Sequence, residues 1–139
     1  MFIFLKVIHM FSLFAGGASG IGNGVLLKKV IASKAPPPPI VVQAMRLIGR
    51  IGFAAVVLLW ISGIGMIATS YHLSLLDWTF WVKMVGATMV LVPVSMMTAH
   101  AIGSEKAETP PNLGYLKQMS SVARIGVGIA IIFGVVAFN

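Results

Sequence analysis

LIGRIGFAAVVLLWISGIGMIATS, residues 47–70, holds one charged side chain, Arg50, in 24 positions. A helix needs roughly 20 apolar residues to cross the hydrocarbon of a bilayer. This run meets that length, and three others match it: residues 2–27, 78–101 and 121–138. Together they use most of the 139 residues, so the expectation is one domain and no separate soluble one. Lipid offers the backbone no hydrogen-bond partner, so spanning segments are helices or closed barrels. These runs are too long for barrel strands. The fold class expected is all-α, a polytopic membrane protein with a four-transmembrane-helix bundle.

Charge supports that placement. The formal net charge is +7, and the only acids are Asp77, Glu105 and Glu108. The basic residues fall near the ends of the apolar runs, where they act as topology signals rather than as a nucleic-acid surface. Lys28, Lys29, Lys34, Arg46 and Arg50 crowd the first connection, and Lys106, Lys117 and Arg124 are assigned to the third. The second, residues 71–77, has none. The positive-inside rule then puts both termini outside and connections one and three in the cytoplasm. The basic first connection is also suited to anionic lipid. Small residues at 15–20 mimic a signal-peptide cleavage site, but Lys6 lies inside the apolar run and Lys28–Lys29 follow it as a helix stop.

With no cysteine in the chain, disulfides and thiolate metal sites are excluded. The glycines of the first run are no phosphate loop, since they lie inside an apolar span with no preceding strand. Ser12, Gly16, Gly20 and Gly24 recur every four residues, and Gly126, Ala130 and Gly134 repeat the device near the C-terminus. Small residues at that spacing let helices approach closely, either inside the bundle or in a homo-oligomer or larger complex through Gly16, Gly20 and Gly24. Pro36–Pro39 reads as a stiff extended spacer, with partner docking as the alternative. Pro110 and Pro111 read as a turn into a short amphipathic lead at 113–119. Lys6 and Lys83 early in the first and third helices, and Arg50-Ile51-Gly52 and Arg124-Ile125-Gly126 opening the second and fourth, form a weak repeat of two helical hairpins.

Titratable groups inside a membrane are costly and mark function by default. Lys83, Gly86, Val90, Pro93, Met97 and His100 share one face of the third helix. Pro93 frees a carbonyl that must face protein or water, so this face points into the bundle. Lys83 either snorkels to the nearby surface or holds a carboxylate such as a propionate. His9 lies about 10 Å below the outer surface, and His100 is about 25 Å from Lys83 along its helix. His9 and His100 therefore cannot both bind one haem iron. His72 sits at the outer end of the second helix, while Met66 and Met84 match His9 in depth. A b-type haem needs an axial imidazole in an apolar slot, sometimes with a second His or Met. The plainer alternative for His9 is a packing histidine held by a hydrogen bond. Nine methionines, four of them in the third helix, raise Cu(I), but they form no repeated motif and Met is a common packing residue.

Leu5-Lys6-Val7-Ile8-His9, followed by Phe14-Ala15-Gly16, resembles the first-helix pattern of HemJ-type and CopD-type small membrane proteins. Trp81-Val82-Lys83-Met84 resembles the opening of their third helix. The resemblance implies a bacterial inner-membrane protein that binds haem b, with His9 as the axial ligand and Lys83 as a second site residue. It further implies electron transfer or porphyrin oxidation. The chain departs from the HemJ pattern after Gly16, where Gly17-Ala18-Ser19-Gly20-Ile21-Gly22-Asn23-Gly24 replaces a tyrosine–leucine–proline–arginine stretch and its closing histidine. The rival expectation is an accessory subunit packed against a larger redox, photosynthetic or transport complex. A channel or transporter would instead need a polar path between Lys83 and His100.

Overall fold

A computed structural model describes residues 1–70, 78–110 and 112–137. They form four helices: α1 (Phe2–Ser33), α2 (Pro39–Ser70), α3 (Trp78–Lys106) and α4 (Leu113–Ala137). Each is long and apolar enough to cross a membrane, with α2 the most hydrophobic at a mean hydropathy of 2.3. The chain is an all-α integral membrane protein. Its outer faces carry exposed Phe4, Phe11, Phe14, Ile21, Ile61 and Ile132, as lipid contact requires.

The helices outrun the apolar runs at their basic ends. α1 continues through Lys28 and Lys29 to Ser33 and ends where Lys34 turns left-handed, at φ 52°. α2 starts at Pro39, a residue suited to the first helical turn because it has no N–H to leave unpaired. The extended spacer is thus confined to the few residues before it. α4 begins at Leu113 because Asn112 caps it: Tyr115 N–H donates to Asn112 Oδ1 at 3.2 Å. Residues 113–119 are therefore part of α4 rather than a separate lead. Arg50 and Arg124 consequently lie well inside their helices and do not open them.

Two antiparallel hairpins make the bundle. α1 packs along α2 and α3 along α4, while the hairpins meet chiefly through α2 and α3 with a slighter α1–α4 contact. In the first hairpin, small residues of α2 receive α1. Methyl groups added at Gly65, Gly63, Gly52 and Gly49 would lie 3.4, 3.6, 3.1 and 3.4 Å from Leu5, His9, Ser19 and Asn23. Gly16 does the same against Ala55, at 3.7 Å. Gly20 and Gly24, by contrast, have nothing within 4 Å of an added Cβ. The four-residue glycine repeat of α1 is thus used inside the bundle only at its start.

The second hairpin closes on a backbone contact. A methyl added at Gly86 would sit 2.8 Å from Ala130 N, and one at Gly126 would sit 2.8 Å from Met89 Cβ and 2.9 Å from Gly86 O. Only glycine at both positions allows this approach. Pro93 lies buried in α3. The carbonyl it strips of a helix donor belongs to Met89, one turn back on the Gly126 side.

Candidate functional site

Because the hairpins touch mainly along one edge, a cleft of about 760 Å³ runs between them, lined from all four helices. His9, Lys83, Met66 and Met84 all line it. Met66 and Met84, expected to match His9 in depth, thus share a cavity wall with it and with Lys83. Gly17 and Gly20, with nothing within 4 Å of an added Cβ, give α1 a smooth surface on the same cleft. His72 and Asp77 lie outside the described residues.

His9 is held from behind. Its Nδ1 is 3.0 Å from Ser62 Oγ, and the Ser62 hydroxyl donates to Leu59 O at 3.1 Å. In the tautomer that carries its proton on Nδ1, His9 donates to Ser62 Oγ while the serine proton goes to Leu59 O. The Nε2 lone pair is then the free one, the tautomer a metal needs. Ser62 is only 1% exposed, so the link is sealed between α1 and α2. Among the described residues no cluster of three His, Asp or Glu side chains exists to hold a metal through protein ligands alone.

His100 belongs elsewhere. Its Nε2 accepts from Asn112 N–H at 3.2 Å, and its ring lies 4.9 Å from that of Tyr115. It ties the end of α3 to the start of α4, at the basic end of the bundle. Close by that end, Glu105 pairs with Arg50 at 2.9 Å and Arg46 at 3.7 Å, linking α3 to α2.

Three polar atoms of the cleft residues are buried without a hydrogen-bond partner: Ser12 Oγ, Trp60 Nε1 and Asn23 Oδ1. Asn23 spends its amide on Met45 O at 3.1 Å, which leaves the oxygen over. Arg124 also lines the cleft. The pairings Gly86–Ala130, Met89–Gly126 and His100–Tyr115 set the α3–α4 register and put Arg124 level with Leu91. Between Lys83 and Glu105 the third helix has no Asp, Glu, Lys or Arg, and Leu91 lies near the middle of that run. Arg124 thus lies inside α4, within the stretch long and apolar enough to cross a membrane, and not in the third connection.

Ser62 and Arg124 escaped the sequence reading for different reasons. A serine in an apolar helix announces no partner, and the pairing to His9 spans 53 residues. Arg124 was misplaced because the Asn112 cap was not recognised, and that signal is local and readable. Compared with protein-family models, curated proteins and solved structures, the chain finds no match.

Proposed function

We propose that the chain binds a b-type haem or a related tetrapyrrole in the cleft between its hairpins, with His9 Nε2 as the axial ligand. The observation that carries this is the His9–Ser62–Leu59 contact, which fixes the ring beside an apolar cleft and, with the proton on Nδ1, leaves Nε2 for a metal. The donor set fits the group. The macrocycle would supply four ligands itself, so the protein needs one imidazole, and Met66 and Met84 line the same cleft as candidate sulfur ligands. Gly17 and Gly20 leave the wall flat, and Lys83 offers a cation to a propionate. Bound haem supplies one-electron redox chemistry, which suits electron transfer or porphyrin oxidation. His9 would hold the iron, and the apolar walls would keep water from it. The LKxxH stretch and the WVKM stretch support the same HemJ- or CopD-like reading. The charge distribution supports a topology with both termini outside and connections one and three in the cytoplasm, and the resemblance adds a bacterial inner membrane.

The test is a reduced-minus-oxidised absorption spectrum of the protein purified in mild detergent. A stoichiometric b-type signal that disappears in His9→Ala is expected. A folded, colourless wild type, or a His9→Ala variant with full pigment, overturns the assignment.

One observation favours a second reading, a non-enzymatic accessory subunit. Gly20 and Gly24 offer α1 backbone with no neighbour within 4 Å, a surface on which another helix can pack closely. On that reading stoichiometric partners copurify, and Gly24→Leu removes them while leaving the fold intact.

A further inference from the structure

Arg124 stands where a bilayer tolerates a charge only if something compensates it. Its Nε donates to Ser120 O at 3.3 Å and its Nη2 to Ser120 Oγ at 3.4 Å, both on its own helix. Among the described residues the ion pairs to Glu105 involve Arg46 and Arg50, and none involves Arg124. Snorkelling does not resolve the charge. The side chain turns one turn toward the basic end, to the level of Ser120, which the α3–α4 register sets against Ser95. That is still inside the uncharged stretch of α3.

On the opposite wall two polar atoms are sealed away without a partner. Ser12 is 2% exposed, and its Oγ has no partner. Trp60 Nε1 is likewise buried without an acceptor. The α1–α2 register, set by His9–Gly63 and Gly16–Ala55, places Ser12 and Trp60 at nearly the same depth. Both lie about 15 Å in from the His9 end of their helices, and Arg124 lies about 20 Å in from that end of α4. The Arg124 guanidinium lines the apolar cleft with no acidic partner among the described residues. A guanidinium in apolar surroundings wants a negative oxygen acceptor.

We propose that Arg124 is the anion anchor of a ligand site in the middle of the cleft, and that its ligand is a bilayer-soluble amphiphile bearing a carboxylate. A carboxylate matches the site in two ways. Its single charge neutralises one guanidinium, whose fork binds both oxygens. It also enters apolar surroundings as the neutral acid and ionises on meeting the cation, whereas a phosphodiester stays ionised and is held at the bilayer surface. On the tetrapyrrole reading the carboxylate is a haem propionate, while a fatty acid offers the same chemistry with no iron. The inference rests on the cleft being a ligand site but not on haem.

Two probe pairs separate these sources in the full-length protein: cis-parinaric acid against its methyl ester, and protoporphyrin IX against its dimethyl ester. Binding is read by quenching of tryptophan emission. The wild type is expected to bind the free acid of at least one pair about tenfold or more tighter than its ester. Arg124→Gln should lose that discrimination, and Arg124→Lys should keep part of it. Equal binding of acid and ester by the wild type, no binding of any probe, or full discrimination in Arg124→Gln overturns the inference. If Arg124→Gln does not fold, the wild-type comparison and Arg124→Lys decide. Discrimination with parinaric acid alone, together with no b-type spectrum, keeps the anchor and removes the tetrapyrrole.

Discussion

His9 and Ser62, 53 residues apart in the chain, meet across the α1–α2 interface at 3.0 Å, and the serine proton goes to Leu59 O. The bond couples the packing of the first hairpin to the chemistry of its histidine. Ser62→Ala keeps the space nearly filled but leaves His9 Nδ1 without its partner. The variant should lose about 1–3 kcal/mol of stability, measured by thermal melting in detergent. On the haem reading it should also retain less pigment than the wild type. A variant that melts as the wild type does would mean the hydrogen bond contributes nothing.

Gly86 and Gly126 should be the least replaceable glycines. An added methyl would meet backbone of the facing helix at 2.8 Å for Gly86 and 2.9 Å for Gly126. Alanine at either forces α3 and α4 apart, at about 1–3 kcal/mol by the usual scale of overpacking. The control is Gly24→Ala, where nothing lies within 4 Å. It should be neutral or stabilising, because alanine is the better helix former. Melting temperatures of the three variants check the order.

Asn112 sets where α4 begins. Asn112→Ala removes the acceptor for Tyr115 N–H and should destabilise the second hairpin by about 0.5–2 kcal/mol. Hydrogen exchange should rise at residues 113–116 and remain unchanged near the Gly126 crossing. Uniform exchange along α4 would show that the cap is not what fixes this end.

The Glu105 pairs bridge the hairpins, yet Arg50 and Glu105 side chains are 60% and 43% exposed. Solvent screening at such exposure limits their worth, and Glu105→Gln should shift stability by less than about 1 kcal/mol. A larger loss, seen in a denaturant or thermal scan, would identify the pairs as the clasp holding the cleft closed at this end.

Filling the cleft should block ligand without harming the fold. Gly17 faces the cleft with nothing within 4 Å of an added Cβ. Gly17→Phe should leave the melting temperature close to that of the wild type and abolish pigment or probe binding. Retained binding would place the ligand elsewhere.

The long apolar runs determined the class of protein, because only a helix satisfies its own backbone across a bilayer. The position of His9, Met66, Met84 and Lys83 at related depths was also legible, since rise per residue turns sequence number into height. Height says nothing about azimuth. Whether those side chains share a wall depends on how each helix is rotated, and that is fixed by contacts such as Leu5 on Gly65 and Ser19 on Gly52. The same limit explains the glycine repeat of α1. Its spacing marks a smooth face, but only packing shows that Gly16 is covered while Gly20 and Gly24 are not.

The sequence by itself therefore determined four spans, their apolar surfaces and the few polar residues worth following. Tertiary structure alone decided that Ser62 orients His9, that two hairpins leave a cleft between them, and that Arg124 faces it at mid-depth. The physical reason is that burial in lipid is a property of composition along one chain segment. A binding site is a property of helix rotation and register, which are set by close contacts between residues far apart in sequence.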